Sequence, residues 1–165
     1  MKIVPLREKY LEQAIALCNK VFPGDVDSNN TPELGFKASL DKEKYNNFWN
    51  KYQCTRIEYF LLVTDEEKVV GTTGLYEKTD PSTARLGWFC IDPEERGKGY
   101  GEKLLKYSID KAKEYGYSYL ELYTDPNELP EAQRLYKKVG FEFDRIGMDP
   151  ADNNIKVTYL KKTLK

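Results

Sequence analysis

The sequence contains no histidine. That absence removes the commonest general base near neutral pH and the commonest zinc ligand. It excludes Ser-His-Asp and Cys-His hydrolase chemistry within the chain, and any H-x-x-x-H metal site. Cysteine is scarce: Cys18, Cys54 and Cys90 are scattered, odd in number and never in C-x-x-C spacing, which is the pattern of reduced thiols and not of a metal or disulfide framework. No apolar run approaches the ~18 residues of a membrane span, and residues 1–7 carry no signal-peptide core, so a soluble, cytoplasmic protein is expected. An excess of either charge is missing too. Twenty-six Lys+Arg face 27 Asp+Glu, for a formal charge of −1, which argues against a general nucleic-acid binder. With 40% hydrophobic residues the chain can bury a core, and disorder is ruled out. There is no repeat, low-complexity tract or Pro/Gly/Ser-rich linker, so residues 1–165 are expected to form a single domain.

What is present is an ordered alternation of patterns. Residues 3–6 suit a short strand. Over residues 8–21 the apolar positions Tyr10, Ala14, Leu17, Cys18 and Val21 recur at helical spacing, and Pro23-Gly24 stops the helix. Residues 25–31 are polar and loop-like. Thr31-Pro32 resembles an N-cap with proline at the first helical position, opening a helix to about residue 40. Asp41 is a candidate cap for another, with Tyr45, Phe48, Trp49 and Tyr52 along one side as a core stripe or a ligand wall. Residues 57–64, 69–77 and 84–91 are β-rich, joined by the turns at 65–68 and 80–82, and read as an antiparallel meander. Then come a helix (101–115), a strand (119–123), a helix (130–139) and two closing strands (141–145 and 155–160). Strand, helix, strand in that order implies a parallel pair joined by a crossover. The expected fold is α/β: a mixed, mostly antiparallel sheet with helices on both faces.

One segment carries chemistry. Arg96-Gly97-Lys98-Gly99-Tyr100-Gly101 lies between a strand end and an amphipathic helix. Glycines allow close backbone approach, the first helical turn has free N–H groups and about half a positive charge, and Arg96 and Lys98 add full charges. This is a site for a phosphate or pyrophosphate, or else a glycine-rich helix entry with no ligand. It is neither a P-loop, because Gly99 follows Lys98, nor a dinucleotide fingerprint, because Glu102 stands where the third glycine belongs.

Arg96-x-x-Gly99-x-Gly101 after Phe89-Cys90-Ile91-Asp92-Pro93 resembles the acyl-CoA-binding signature of the GNAT superfamily of N-acetyltransferases. The stretch from Pro130 through Ala132, Leu135 and Tyr136 to Gly140-Phe141 is similar to that family's second segment, an Ala-x-x-Leu-Tyr helix closed by Gly-Phe. The resemblance implies a GNAT-like fold, acetyl-CoA as co-substrate, no metal, and transfer to a primary amine by direct attack. It implies that the backbone of Phe89, Cys90 and Ile91 pairs with the pantetheine arm, and that amides from Gly97 to Glu102, Tyr100 among them, hold the pyrophosphate with help from Arg96 and Lys98. Leu129 stands where the family often has asparagine, and Asn127 is the nearby substitute. Tyr136 matches the tyrosine that protonates the departing thiolate. The alternative is a tyrosine packed on the sheet.

Some relatives carry a glutamate base on the strand before the glycine loop. That position falls at Arg85, and residues 83–91 hold no carboxylate. Glu77 and Glu121 are weak base candidates, each otherwise a solvated strand-face charge, and a water relay is the third option. The family's acceptor site maps to residues 23–52, with Asp25, Asp27, Glu33, Phe36, Tyr45 and Trp49, and to residues 148–155. A small-molecule or peptide amine is the expected partner, with no nucleic acid or membrane, and two copies sharing a sheet edge would make a homodimer. The rival functions are a CoA-binding sensor without catalysis and a phosphate-ligand binder unrelated to CoA.

Overall fold

A computed structural model describes residues 1–23, 30–125, 130–150 and 152–165. Seven strands, β1 (Lys2–Pro5), β2 (Arg56–Val63), β3 (Val69–Glu77), β4 (Thr83–Ile91), β5 (Tyr119–Thr124), β6 (Glu142–Asp149) and β7 (Asp152–Thr163), form one sheet. Its order is β1-β2-β3-β4-β5-β7-β6, antiparallel throughout except for β4 beside β5. The expected mixed sheet and its single parallel pair are what the chain builds.

Helices α1 (Leu11–Val21) and α2 (Pro32–Leu40) cover one face, with Cys18, Phe36, Leu61 and Val63 in one buried cluster. The short α3 (Asn46–Lys51) adds Trp49 to it. Helices α4 (Tyr100–Glu114) and α5 (Pro130–Lys138) cover the other face, where Leu75, Leu105, Leu120 and Tyr136 cluster. The caps explain the boundaries. Thr31 accepts a hydrogen bond from the Leu34 amide at 3.2 Å and Pro32 opens α2. The inward stripe read from the sequence, Leu104, Leu105, Ile109 and Ala112, is buried along α4.

Three local differences have physical causes. The first helix begins with a 3-10 turn over Glu8–Tyr10. Asp41 does not open α3: its side chain accepts from the Lys44 amide at 3.0 Å, closing a separate turn ahead of Asn46. The closing hairpin is longer than expected. β6 is the outer edge of the sheet and exposes Phe143 and Ile146, so no buried face imposes alternation on its sequence. Among the described residues, no helix is long and apolar enough to cross a membrane, and no group of three Cys, Asp or Glu is placed to hold a metal.

Candidate active site

The site begins where the sheet comes apart. β4 and β5 are in register only over Thr83↔Tyr119, Ala84↔Leu120 and Arg85↔Glu121. Beyond Arg85 the two parallel strands have no further registered pairs, leaving the β5-facing edge of β4 unpaired from Leu86 onward. A bulge sharpens the divergence. On the β3 side Thr72 pairs with Cys90 and Gly74 with Gly87, so Trp88 and Phe89 together oppose Thr73. Trp88 has φ +42°, and the Thr72 hydroxyl donates to its carbonyl at 2.6 Å, pinning the bulge. A cavity of about 1670 Å³ runs through the gap, lined by both flanks of the β4 bulge, by α5 and by the start of α4.

At one mouth β4 ends in a cornerstone. Buried Asp92 accepts the Glu94 amide at 3.1 Å and pairs with Lys20 of α1 at 3.1 Å. Burial alone would raise its pKa, but these two contacts hold it below the usual carboxylate range. A 3-10 turn over Pro93–Glu95 follows, and then the glycine loop. Gly97 has φ +78° and Gly99 φ +83°, a conformation that strains any L side chain. A Cβ at either position would meet nothing within 4 Å, so both backbones face open space. Gly99 is the N-cap of α4 and, among the described residues, no side chain caps that end, which leaves the first-turn amides to an incoming acceptor. A Cβ at Gly101 would stand 3.4 Å from Leu135, which seats α4 closely against α5.

The charges around this loop are arranged unequally. Lys98 pairs with Glu95 at 2.9 Å, a contact that raises its pKa, and it does not line the cavity. Arg96 lines the cavity, is exposed, and has no ion pair among the described residues. The Glu102 carboxylate is drawn away to Lys138 and Lys106, each at 3.0 Å, and these two hydrogen bonds lower its pKa.

On the facing wall, Tyr136 is buried on α5, its ring centroid 6.3 Å from Phe89 and 6.1 Å from Phe141. The cavity therefore brings together Phe89, Cys90, Ile91, Arg96, Gly97, Gly99, Tyr100, Gly101, Glu102 and Tyr136. Asn127 lies outside the described residues, as do Asp25 and Asp27. Glu77 and Glu121 are not among the lining residues. Glu77 takes a hydrogen bond from the Thr55 hydroxyl at the far end of β3. Glu121 is buried with both oxygens engaged, one by Arg85 at 3.1 Å and the other by Arg145 at 2.5 Å.

The opposite mouth is aromatic. Phe22, Phe48, Tyr52, Tyr59, Tyr76, Trp88 and Tyr123 line it, together with Lys78, Asp125 and Asp149. Of the side chains singled out from residues 23–52, Phe36 is fully buried core, Trp49 is buried with its indole donating to the Ala38 carbonyl at 2.9 Å, and Glu33 pairs with Lys37 at 2.6 Å. The segment 148–155 does reach the cavity, through Asp149, Pro150 and Ile155. Sequence reading missed Tyr59, Tyr76, Lys78 and Trp88. Their signal was available in part: Tyr76 and Lys78 alternate in β register after β2 has already placed Tyr59 on that face. Cys90 sits 3.8 Å from Cys18, and Thr72 lies 3.3 Å from each thiol. The shared contact with Cys90 and burial push Cys18 well above the usual thiol range.

Known proteins resemble this chain in sequence and in fold. Human N-acetyltransferase 8B is 37% identical over 87 residues, covering 50% of this chain and 38% of that protein. A Mycobacterium leprae protein of uncharacterised function is 35% identical over 138 residues, covering 78% of this chain and 34% of that protein. The chain thus spans between a third and two-fifths of the length of these curated relatives. Among solved structures, a GNAT-family acetyltransferase from Staphylococcus aureus superposes with a TM-score of 0.73 over 99% of both chains at 20% identity. An aminoglycoside 6'-N-acetyltransferase complexed with coenzyme A gives 0.73 over 100% of this chain and 98% of that one at 13% identity. At such identities the superpositions speak for the fold. The model of the acetyltransferase (GNAT) family matches residues 11–141, and the chain belongs to that family.

Proposed function

We propose that the chain transfers an acetyl group from acetyl-CoA to a primary amine by direct attack. The observation that carries this reading is the continuity of the cavity from the uncapped N-terminus of α4, through the gap between β4 and β5, to the aromatic mouth beyond. The diphosphate of coenzyme A sits on the amides from Gly97 to Glu102, with Arg96 as the flanking cation. The pantetheine arm adds to the unpaired edge of β4 along Phe89–Ile91 like a further strand. An amide at the bulge then faces the thioester carbonyl and donates to the oxygen as charge builds on it.

In the reaction the amine nitrogen forms a bond to the carbonyl carbon and the carbon–sulfur bond breaks. The thiolate takes a proton from the Tyr136 hydroxyl, whose ring is fixed between Phe89 and Phe141. The proton lost by the amine leaves through water in the open cavity. A base role is not assigned to Glu77, which lies away from the lining, or to Glu121, whose two oxygens are occupied by arginines. Cys90 is not assigned a covalent role. It is a buried thiol whose hydrogen-bonding neighbours among the described residues are another thiol and a threonine, neither of them a base. Residues 1–165 act here as one cytoplasmic catalytic unit.

The test is release of CoA thiol from acetyl-CoA across a panel of primary amines, beside calorimetric binding of CoA and of ATP. Acyl transfer requires amine-dependent thiol release and tighter binding of CoA than of ATP. Binding of CoA with no release over the whole panel would establish a sensor instead.

A further inference from the structure

The aromatic mouth contains a cation that the acyl-transfer reading does not use. Lys78 directly follows β3 and lines the cavity. Its ammonium lies 5.9 Å from the ring centroid of Tyr52 and 5.8 Å from that of Tyr76. Among the described residues Lys78 has no ion pair. Two carboxylates of the neighbouring strands are engaged elsewhere: Glu121 by Arg85 and Arg145, and Glu77 by a hydrogen bond from the Thr55 hydroxyl. Loss of solvent, followed by the charge of Arg85, lowers the pKa of Lys78. The two rings give this half-buried ammonium cation–π contacts but, among the described residues, no counter-ion, and an anion entering the cavity would offset the remaining cost of its lost hydration.

The register sets the spacing along β3 between the bulge and the strand's cationic end. The bulge lies opposite Thr73, and Tyr76, whose ring centroid is 5.8 Å from the ammonium, is three residues farther along the same strand. Three residues of strand span about 10 Å. The wall between them is aromatic and closely built. An added Cβ at Gly74 would stand 2.5 Å from the ring of Tyr59, and one at Gly87 would stand 3.2 Å from that of Tyr76, so the glycines let both rings lie across the sheet. The trough thus has a reacting end at the bulge, an apolar middle and a cationic far end.

We propose that the acceptor is an amine bearing a carboxylate, or an equivalent anion, about 10 Å from the attacking nitrogen, and that Lys78 anchors that anion. The inference rests on the acyl-transfer reading and narrows its substrate class to elongated amino acids and short peptides with a free C-terminus. A polyamine, whose second cation Lys78 would repel, is the contrary outcome.

The test compares tripeptides of the form Gly-Phe-Gly, their C-terminal amides and α,ω-diamines of equal length. Each is measured by thiol release with acetyl-CoA and by calorimetry on the CoA-loaded protein, and acetyl-CoA affinity is measured separately. The free acid should exceed its amide by at least about tenfold in kcat/KM or in affinity, the scale of one charge-assisted contact. Lys78→Met should abolish that ratio and Lys78→Arg should keep most of it. Equal values for acid and amide, a preference for the diamine, or an unchanged ratio in Lys78→Met would overturn the anchor. A protein that binds acetyl-CoA but prefers amides loses the anchor alone. One that binds no acetyl-CoA loses the acyl-transfer reading with it.

Discussion

Replacing Gly99 by aspartate tests the anion cup against an internal control in the same helix. Gly99 at the start of α4 and Gly116 just past its end have nearly the same backbone, φ +83° and +88°, and an added Cβ at either meets nothing within 4 Å. Both substitutions therefore force an L residue into the left-handed region, at about 1–2 kcal/mol each. For a chain of this size that lowers Tm by roughly 3–6 °C in either variant. They differ in what the new carboxylate faces. At Gly99 it would point into the open space at the uncapped end of α4. A diphosphate charge about 8 Å away, at an effective dielectric of about 20, is repelled by about 2 kcal/mol. That is roughly a thirtyfold loss of CoA affinity, before counting the amides the carboxylate would itself occupy. Isothermal titration with CoA should show this loss in Gly99→Asp and none in Gly116→Asp, although Gly116→Asp should melt lower because its carboxylate meets the negative end of α4. Equal CoA affinities in the two variants would refute the cup.

Other consequences can be checked separately. Tyr136→Phe should lower kcat by about ten- to a hundredfold while leaving acetyl-CoA affinity within twofold, because the ring packing on Phe89 and Phe141 survives. An unchanged kcat would return Tyr136 to a packing role. Leu105→Ala, at a fully buried position of α4, should cost about 2–5 kcal/mol in urea unfolding. A cost under 1 kcal/mol would contradict the packing described for that face. Asp92→Asn should destabilise the protein by about 1–2 kcal/mol at pH 7, because the carboxylate's contacts with Lys20 and the Glu94 amide lower its pKa on folding. A depressed carboxylate stabilises above its unfolded pKa and loses that contribution as pH falls through its folded pKa. The gap between wild type and variant should therefore close on acidification below about pH 4. A gap that stayed constant down to the acid transition would show that Asp92 acts by shape alone.

How much of this was legible depended on whether burial imposed a pattern. α2 and β3 fall on their expected bounds because one has a strong cap at Thr31 and the other is a buried strand between two polar turns. The glycine loop was legible because glycine is the residue that adopts φ near +80° without strain. β6 was blurred because an exposed edge strand has no face that selects alternation, while β7 is interior to the sheet and buries Val157 and Tyr159. The bulge at Trp88 was hidden, since a bulky residue at positive φ breaks the preference that sequence reading relies on and is held by the Thr72 hydroxyl from another strand. The arginine clamp on Glu121 was equally out of reach. It joins Arg85, Glu121 and Arg145, which only the strand order brings together. Part of the aromatic stripe near residues 45–52 divided in space: Trp49 turned into the core while Phe48 and Tyr52 reached the cavity.

The most direct measurement is an amide-resolved NMR titration of the protein with CoA. The backbone amides of Gly97, Gly99, Tyr100 and Gly101 should shift most and to lower field as they donate to the diphosphate, followed by Phe89 and Ile91 along β4. Saturable CoA binding that leaves those loop amides unmoved, with the large shifts elsewhere, would contradict the account.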